Sequence, residues 1–309
     1  MDHTGIHHVT AIAGPASRNL DFYRHTLGMR LVKKTVNFDD PTTYHLYFGD
    51  ETGQPGSILT FFPWEHAAAG RVGIGETQET AFRIPQASLG FWTHRLLSAG
   101  IAHETPFQRF GETVLAMKDP DGMRISLVAL AGIENEPGWS DEEVPAEHAI
   151  RGLHGISLLL EDTGPTAAIV TDVLGFREMD REGTLTRYVA EEAGVGRYVD
   201  LHHAGGFLRG RSGRGTVHHV AFRADEEGQA RMARRLTEEH GIPTTEQKDR
   251  AYFRSVYFRE PGGVLFEIAT DDPGFAIDEP ADALGTALKL PKGLEPHRAE
   301  IEKVLPPLG

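Results

Sequence analysis

No cysteine occurs anywhere in the 309 residues. Its absence excludes disulfides, thiolate metal sites and a cysteine nucleophile, so any metal must rest on histidine and carboxylate ligands. No apolar run approaches the roughly 18 residues needed to cross a bilayer. Met1-Asp2-His3-Thr4-Gly5 leads straight into a predicted strand, without the basic and then apolar segment of a secretory signal, and a cytoplasmic location is the expectation. Basic residues are outnumbered by acidic ones, 31 against 45, and the formal charge of −14 disfavours nucleic acid and anionic membranes as partners. The rest of the composition, 39% hydrophobic and 25% charged, is that of a globular protein. The chain is long enough for two domains, each with a core of its own.

One stretch organises the reading. Gly262-Gly263-Val264-Leu265-Phe266-Glu267-Ile268-Ala269 is an apolar run with one carboxylate in its middle. Strand alternation puts Leu265, Glu267 and Ala269 on one face. A buried, unpaired Glu267 would carry a desolvation penalty of several kcal/mol, so something cationic should meet it. A buried Arg or Lys would serve. So would a metal shared with histidines from two other strand-like runs, Ile6-His7-His8-Val9-Thr10 and Val217-His218-His219-Val220-Ala221.

In chain order, a strand over 5–13, a helix over 15–27 ended by Gly28, and strands over 30–37, 43–49 and 57–62 form a first unit. The pattern recurs from residue 78 with a helix over 85–99, from 152 with a helix over 164–174, and from 216 with a helix over 225–240. Each helix ends on a glycine, and a second glycine turns into the last strand. These pairs, Gly28 and Gly56, Gly100 and Gly122, Gly175 and Gly196, Gly241 and Gly263, lie 28, 22, 21 and 22 residues apart, a regularity that argues for a repeat. An acidic segment over 133–150 with Pro137, Gly138 and Pro145 divides the modules two and two. We therefore expect an N-terminal domain over 1–140 and a C-terminal domain over 141–309. The stretch 67–75 reads as a module linker rather than a lid over the site. The proline-rich chain beyond Asp272 reads as a surface tail with one short helix over 282–290.

A strand, helix, three-strand module in four copies, with histidine on first strands and glutamate on a last strand, resembles the vicinal oxygen chelate (glyoxalase, bleomycin resistance, extradiol dioxygenase) superfamily. The resemblance implies an α+β fold in which four βαβββ modules form two cup-shaped mixed sheets. His7-His8-Val9-Thr10, the run from Lys33 through Pro41, that from Tyr44 through Asp50, and Arg250-Ala251-Tyr252-Phe253-Arg254-Ser255-Val256-Tyr257-Phe258 are similar to the hydroquinone-type ring-cleaving dioxygenases, over residues 5–272. Carried over to these positions, the family's metal ligands fall on His8, His219 and Glu267. The modules agree, since module four supplies both His219 and Glu267, whereas module one supplies His8 and only Leu59, Thr60 and Phe61 on its last strand. Modules one and four should therefore share a cup, leaving two and three to pair.

Two histidines and a carboxylate suit Fe(II), and Mn(II) or Zn(II) would accept the same ligands. The resemblance implies an aromatic substrate and O2 as partners, with opening of a hydroquinone ring beside a hydroxyl-bearing carbon. It places Tyr257, His218 and Arg250 in catalytic roles and His7 and Thr10 around them. Strict alternation would turn His7 and His218 away from the metal, so their part requires a bulge or an indirect contact. A catechol extradiol dioxygenase or glyoxalase-type metalloenzyme is the alternative, although the isomerases use a second carboxylate that module one lacks. A non-enzymatic binding protein is the other alternative, and a homo-oligomer is compatible with everything above. His154 and Asp200 on module three have no third ligand, so no second metal is expected there, and His154 should be a hydrogen-bonded relic of the repeat.

Overall fold

The computed structural model describes residues 4–308. Module one is β1 (Ile6–Ala13), α1 (Ala16–Asp21), β2 (Arg30–Asn37), β3 (Asp40–Gly49) and β4 (Ile58–Pro63). Module two is β5 (Glu76–Pro85), α2 (Leu89–Ser98), β6 (Phe107–Arg109), β7 (Glu112–Lys118) and β8 (Arg124–Leu130). Module three is β9 (Leu153–Leu160), α3 (Gly164–Ala168), β10 (Arg177–Glu182), β11 (Leu185–Val189) and β12 (Tyr198–His203). Module four is β13 (Thr216–Ala224), α4 (Glu226–Glu238), β14 (Lys248–Asp249), β15 (Arg254–Arg259) and β16 (Leu265–Thr270). In modules one and three the helix finishes as a π turn, Phe22–Thr26 and Ile169–Val173. The helix-ending glycines take the left-handed conformation that the repeat requires, with φ of 63° at Gly28 and 65° at Gly241.

The sixteen strands make two eight-stranded mixed sheets that curl into cups. One runs β14-β15-β16-β13-β1-β4-β3-β2 and the other β10-β11-β12-β9-β5-β8-β7-β6. Modules one and four thus share a sheet, as do two and three, and each sheet draws one module from either side of the 133–150 linker. The seams are antiparallel, β1 on β13 and β5 on β9. Apolar side chains from both sheets, including Val9, Phe61, Phe82, Leu127, Leu158 and Phe266, merge into one core.

Helix α4 shows how the sequence supports the site from behind. Asp225 caps it through the Gly228 amide, and Glu226 and Glu227 complement its first turn. On its buried face Gln229 donates from Nε2 to the carbonyls of Ile268, at 2.7 Å, and Arg254, at 2.9 Å, pinning the helix to β16 and β15.

Two expectations need correction. Strand β3 begins at Asp40, ahead of the expected 43, and the turn before it is confined to Phe38 and Asp39. The C-terminal segment does not form a loose surface tail with a helix over 282–290. Only a 3-10 turn, Ala281–Ala283, lies there, and the helix is α5 (Arg298–Val304). Leu290, Ile301 and Leu305 pack on Val36, while Phe275 sits 5.1 Å from both Tyr47 and Tyr252. Fully buried Lys33 meets Asp278 at 2.6 Å and Glu279 at 2.5 Å. The segment stays down because it carries the only carboxylates paired with that ammonium among the described residues. The 67–75 segment is a linker, as expected. It is stitched to the corresponding linker of the other half by reciprocal backbone bonds of 2.8 Å between Arg71 and Arg211.

Candidate metal centre

Glu267 is fully buried on β16, with Ala221 of β13 on one side and Tyr257 of β15 on the other. Among the described residues no lysine or arginine forms an ion pair with it. Its Oε2 lies 2.9 Å from Nε2 of His219 and 3.5 Å from Nε2 of His8, and one ligand atom from each of the three residues falls within 4.8 Å of the others. Burial pushes the Glu267 carboxyl up, but the two imidazoles outweigh it and hold it well below the ordinary range. His219 is pushed down by burial against the pull of Glu267. The donors suit a divalent cation. Two imidazoles and a carboxylate share one point, and Oε2 has no hydrogen-bond donor apart from the imidazoles.

The two flanking histidines reach the site indirectly. His7 Nδ1 lies 2.9 Å from His8 Nδ1, and His218 Nδ1 lies 2.8 Å from His219 Nδ1. The register of β1 against β13 slips between Ile6 and His8, which is how adjacent residues both serve one centre. Each outer imidazole fixes the rotation of a ring whose Nε2 faces Glu267. Burial pushes both His7 and His218 down to about 3, so both are neutral at pH 7.

Above the three residues opens a cavity of about 340 Å³, within the range of small-molecule sites. Tyr257 stands edge-on to His219, with ring centroids 5.6 Å apart, and accepts from Arg250 Nε at 3.2 Å. Arg250 also binds Asp39 at 3.0 Å. It is no solvated surface arginine, because the left-handed turn at Ala251 (φ 65°) directs it back over the Tyr257 ring. Thr10 pairs with His219 across the seam, is fully buried, and accepts from Thr60 at 2.9 Å.

Several residues that shape the cavity were not singled out from the sequence. Phe62 and Trp64 stack at 5.9 Å, and Phe62 packs on His45 at 4.3 Å, giving an aromatic wall. His45 is held by Tyr47 and Thr60, each at 2.8 Å, so neither ring nitrogen is left for a ligand. Ser255 donates to Oε1 of Glu267 at 2.5 Å. Alternation along β15 places Ser255 on the Tyr257 face, and that signal would have found it. Nothing in the sequence marks the end of β4 as a wall.

The other cup carries its own cation. Arg187 binds both oxygens of Asp200, at 2.8 and 2.9 Å, and reaches Glu112 at 2.6 Å, while His154 Nε2 lies 3.1 Å from Glu112. A guanidinium occupies the middle of the residues that could otherwise have gathered an ion, and His154 is hydrogen-bonded as expected.

The family model described as the glyoxalase/bleomycin resistance protein/dioxygenase superfamily matches residues 5–127 and 150–268. Two Bacillus subtilis proteins provisionally named ring-cleaving dioxygenases, MhqO and MhqE, are each 44% identical over 98% and 100% of this chain, and 96% and 100% of their own lengths. A chlorohydroquinone/hydroquinone 1,2-dioxygenase from Sphingobium indicum is 32% identical over 97% of this chain and 95% of its own. Among solved structures, a provisionally named Bacillus subtilis dioxygenase superposes with a TM-score of 0.95 at 44% identity, covering 99% of this chain and 98% of that one. Glyoxalase I from Zea mays shares the fold at a TM-score of 0.67 and 15% identity, covering 87% of this chain and 93% of that one.

Proposed function

Because the chain belongs to the glyoxalase/bleomycin resistance protein/dioxygenase superfamily, we propose that it is a ring-cleaving dioxygenase, that it opens a hydroquinone-type ring with O2, and that His8, His219 and Glu267 hold its metal, Fe(II). The observation that carries this reading is the meeting of two imidazoles and a buried, otherwise uncompensated carboxylate under an aromatic-walled cavity flanked by a phenol and a guanidinium. The names of the relatives at 44% and 32% identity support it. Thr60 stands on β4 where Glu267 stands on β16, so the second carboxylate expected of a glyoxalase-type isomerase is missing.

When bound, the metal supplies positive charge for a substrate oxygen and the one-electron chemistry that O2 requires. The protein does the rest. Phe62 and Trp64 present apolar faces to the substrate ring and keep water from it. Burial, with Glu267 close by, pushes the Tyr257 phenol up, so it stays protonated and can donate to a substrate oxygen, and Arg250 fixes its position. His218 is neutral and accepts at Nδ1 from the Nδ1–H of His219, whose Nε2 faces Glu267, so its own Nε2 carries the proton and can donate to a substrate oxygen. Oxygen uptake after anaerobic Fe(II) loading, measured with hydroquinones and catechols, tests the reading. Uptake should favour hydroquinones and vanish without metal, whereas no uptake, or a preference for catechols, would overturn it.

A further inference from the structure

Lys248 stands on β14, at the edge of the sheet that carries the metal centre, opposite Ser255 in register. Side chains of directly opposed residues share a face. Ser255 turns toward Glu267, so Lys248 projects over the cup and lines its mouth. Among the described residues no carboxylate pairs with it, since Asp39 is taken by Arg250 and Asp249 accepts from the Ala251 amide at 2.8 Å. Two uncharged groups at the mouth have the same polarity. Asn37 Oδ1 accepts from the Asp39 amide at 3.0 Å, which leaves its NH2 to donate. Thr245 Oγ1 accepts from the Tyr257 amide at 3.0 Å, which leaves its hydroxyl proton to donate.

The mouth thus offers an ammonium, an amide and a hydroxyl, all as donors, in a molecule whose formal charge is −14. A positive opening in an acidic surface draws anions in. A neutral hydroquinone gives the ammonium no counter-charge. We infer that Lys248 is a specificity-determining residue, and that the cup takes hydroquinones carrying a carboxylate, on the ring or one carbon from it. A cavity of about 340 Å³ has room for that group beside the ring. The ring class rests on the hydroquinone reading, whereas the preference for negative charge rests on Lys248.

The test is isothermal titration calorimetry on the protein with Fe(II) added and oxygen kept out, using 2,5-dihydroxyphenylacetate and its methyl ester, which differ in charge and share the ring. The acid should bind wild type about 5-fold more tightly than the ester, the upper range for an exposed ion pair, and high salt should shrink the difference. Lys248→Met should abolish the preference and leave the ester's affinity unchanged. Lys248→Arg, which keeps the charge, should retain it. Lys248 is exposed, so these variants spare the core. Equal affinity for acid and ester in wild type, failure of the acid to bind, or a preference that survives Lys248→Met would overturn the inference. Oxygen uptake is read separately. Preferential binding of the acid with no uptake on any ring would sink the proposed function and leave the charge preference standing, whereas uptake with hydroquinone and the ester but not with the acid would do the reverse.

Discussion

At the centre the deciding quantity is the charge on Glu267. With no lysine or arginine in an ion pair with it among the described residues, the carboxylate depends on His8, His219 and Ser255 until a cation arrives. His8→Ala should therefore lose stoichiometric metal, as read by elemental analysis. Glu267→Gln should lose it too while the metal-free protein keeps or gains thermal stability, because a buried charge has been removed. Tyr257→Phe should keep one metal per chain and lower hydroquinone turnover by about 10²-fold, the lower range for a lost proton donor. Catechol, fixed by two oxygens, should depend on it less, and kcat/KM for both substrate classes checks this. The convergence of the three central residues was legible because a carboxylate in an apolar run demands a partner and two strands offered histidines. The Nδ1 pairing of His7 and His218 was not, because alternation alone cannot show a register slip in β1.

Two elements carry charge pairs whose loss should be felt beyond their own strands. Lys33 on β2 holds Asp278 and Glu279, and through Tyr252, whose hydroxyl donates to Asp278 at 3.1 Å, it steadies the hairpin that bears Arg250. Lys33→Met would leave two acids without their cation, at a cost of about 3–5 kcal/mol. Limited proteolysis should then remove the segment beyond 271, which resists it in the wild type. In the second cup, burial would raise Glu112, but His154 and Arg187 hold it down at about 2. A carboxylate depressed in the folded state stabilises fully above its unfolded value of 4.5 and loses that contribution as pH falls toward 2. Glu112→Gln should cost up to about 3 kcal/mol at pH 7 and little near pH 2, as read by urea unfolding across pH. The tail's packing was hidden in the sequence because its six prolines mimic a loose segment, and because buried Lys33 gives no sign of its partners 245 and 246 residues away.

For the molecule as a whole, the order of strands matters more than the order of modules. Each sheet crosses the 133–150 linker, so cutting an engineered protease site there should leave two fragments that co-elute in size-exclusion chromatography and unfold in one transition with the parent. Separate elution, or two transitions, would show halves that stand alone. The fourfold repeat and its pairing were readable from glycine spacing and from the placement of His8 and Glu267 on distant modules. The curl of each sheet was not, since it follows from strand twist and the seam. The seam also sets a timetable on the ribosome. Modules two and three can close their sheet as soon as β12 emerges. Throughout that time β1, buried along its whole length in the finished protein, waits with one edge bare for β13. A nascent chain stalled before residue 270 would hold a completed second cup beside an apolar, aggregation-prone strand edge. Dependence on chaperones should therefore peak late in translation, after most of the polypeptide has already folded.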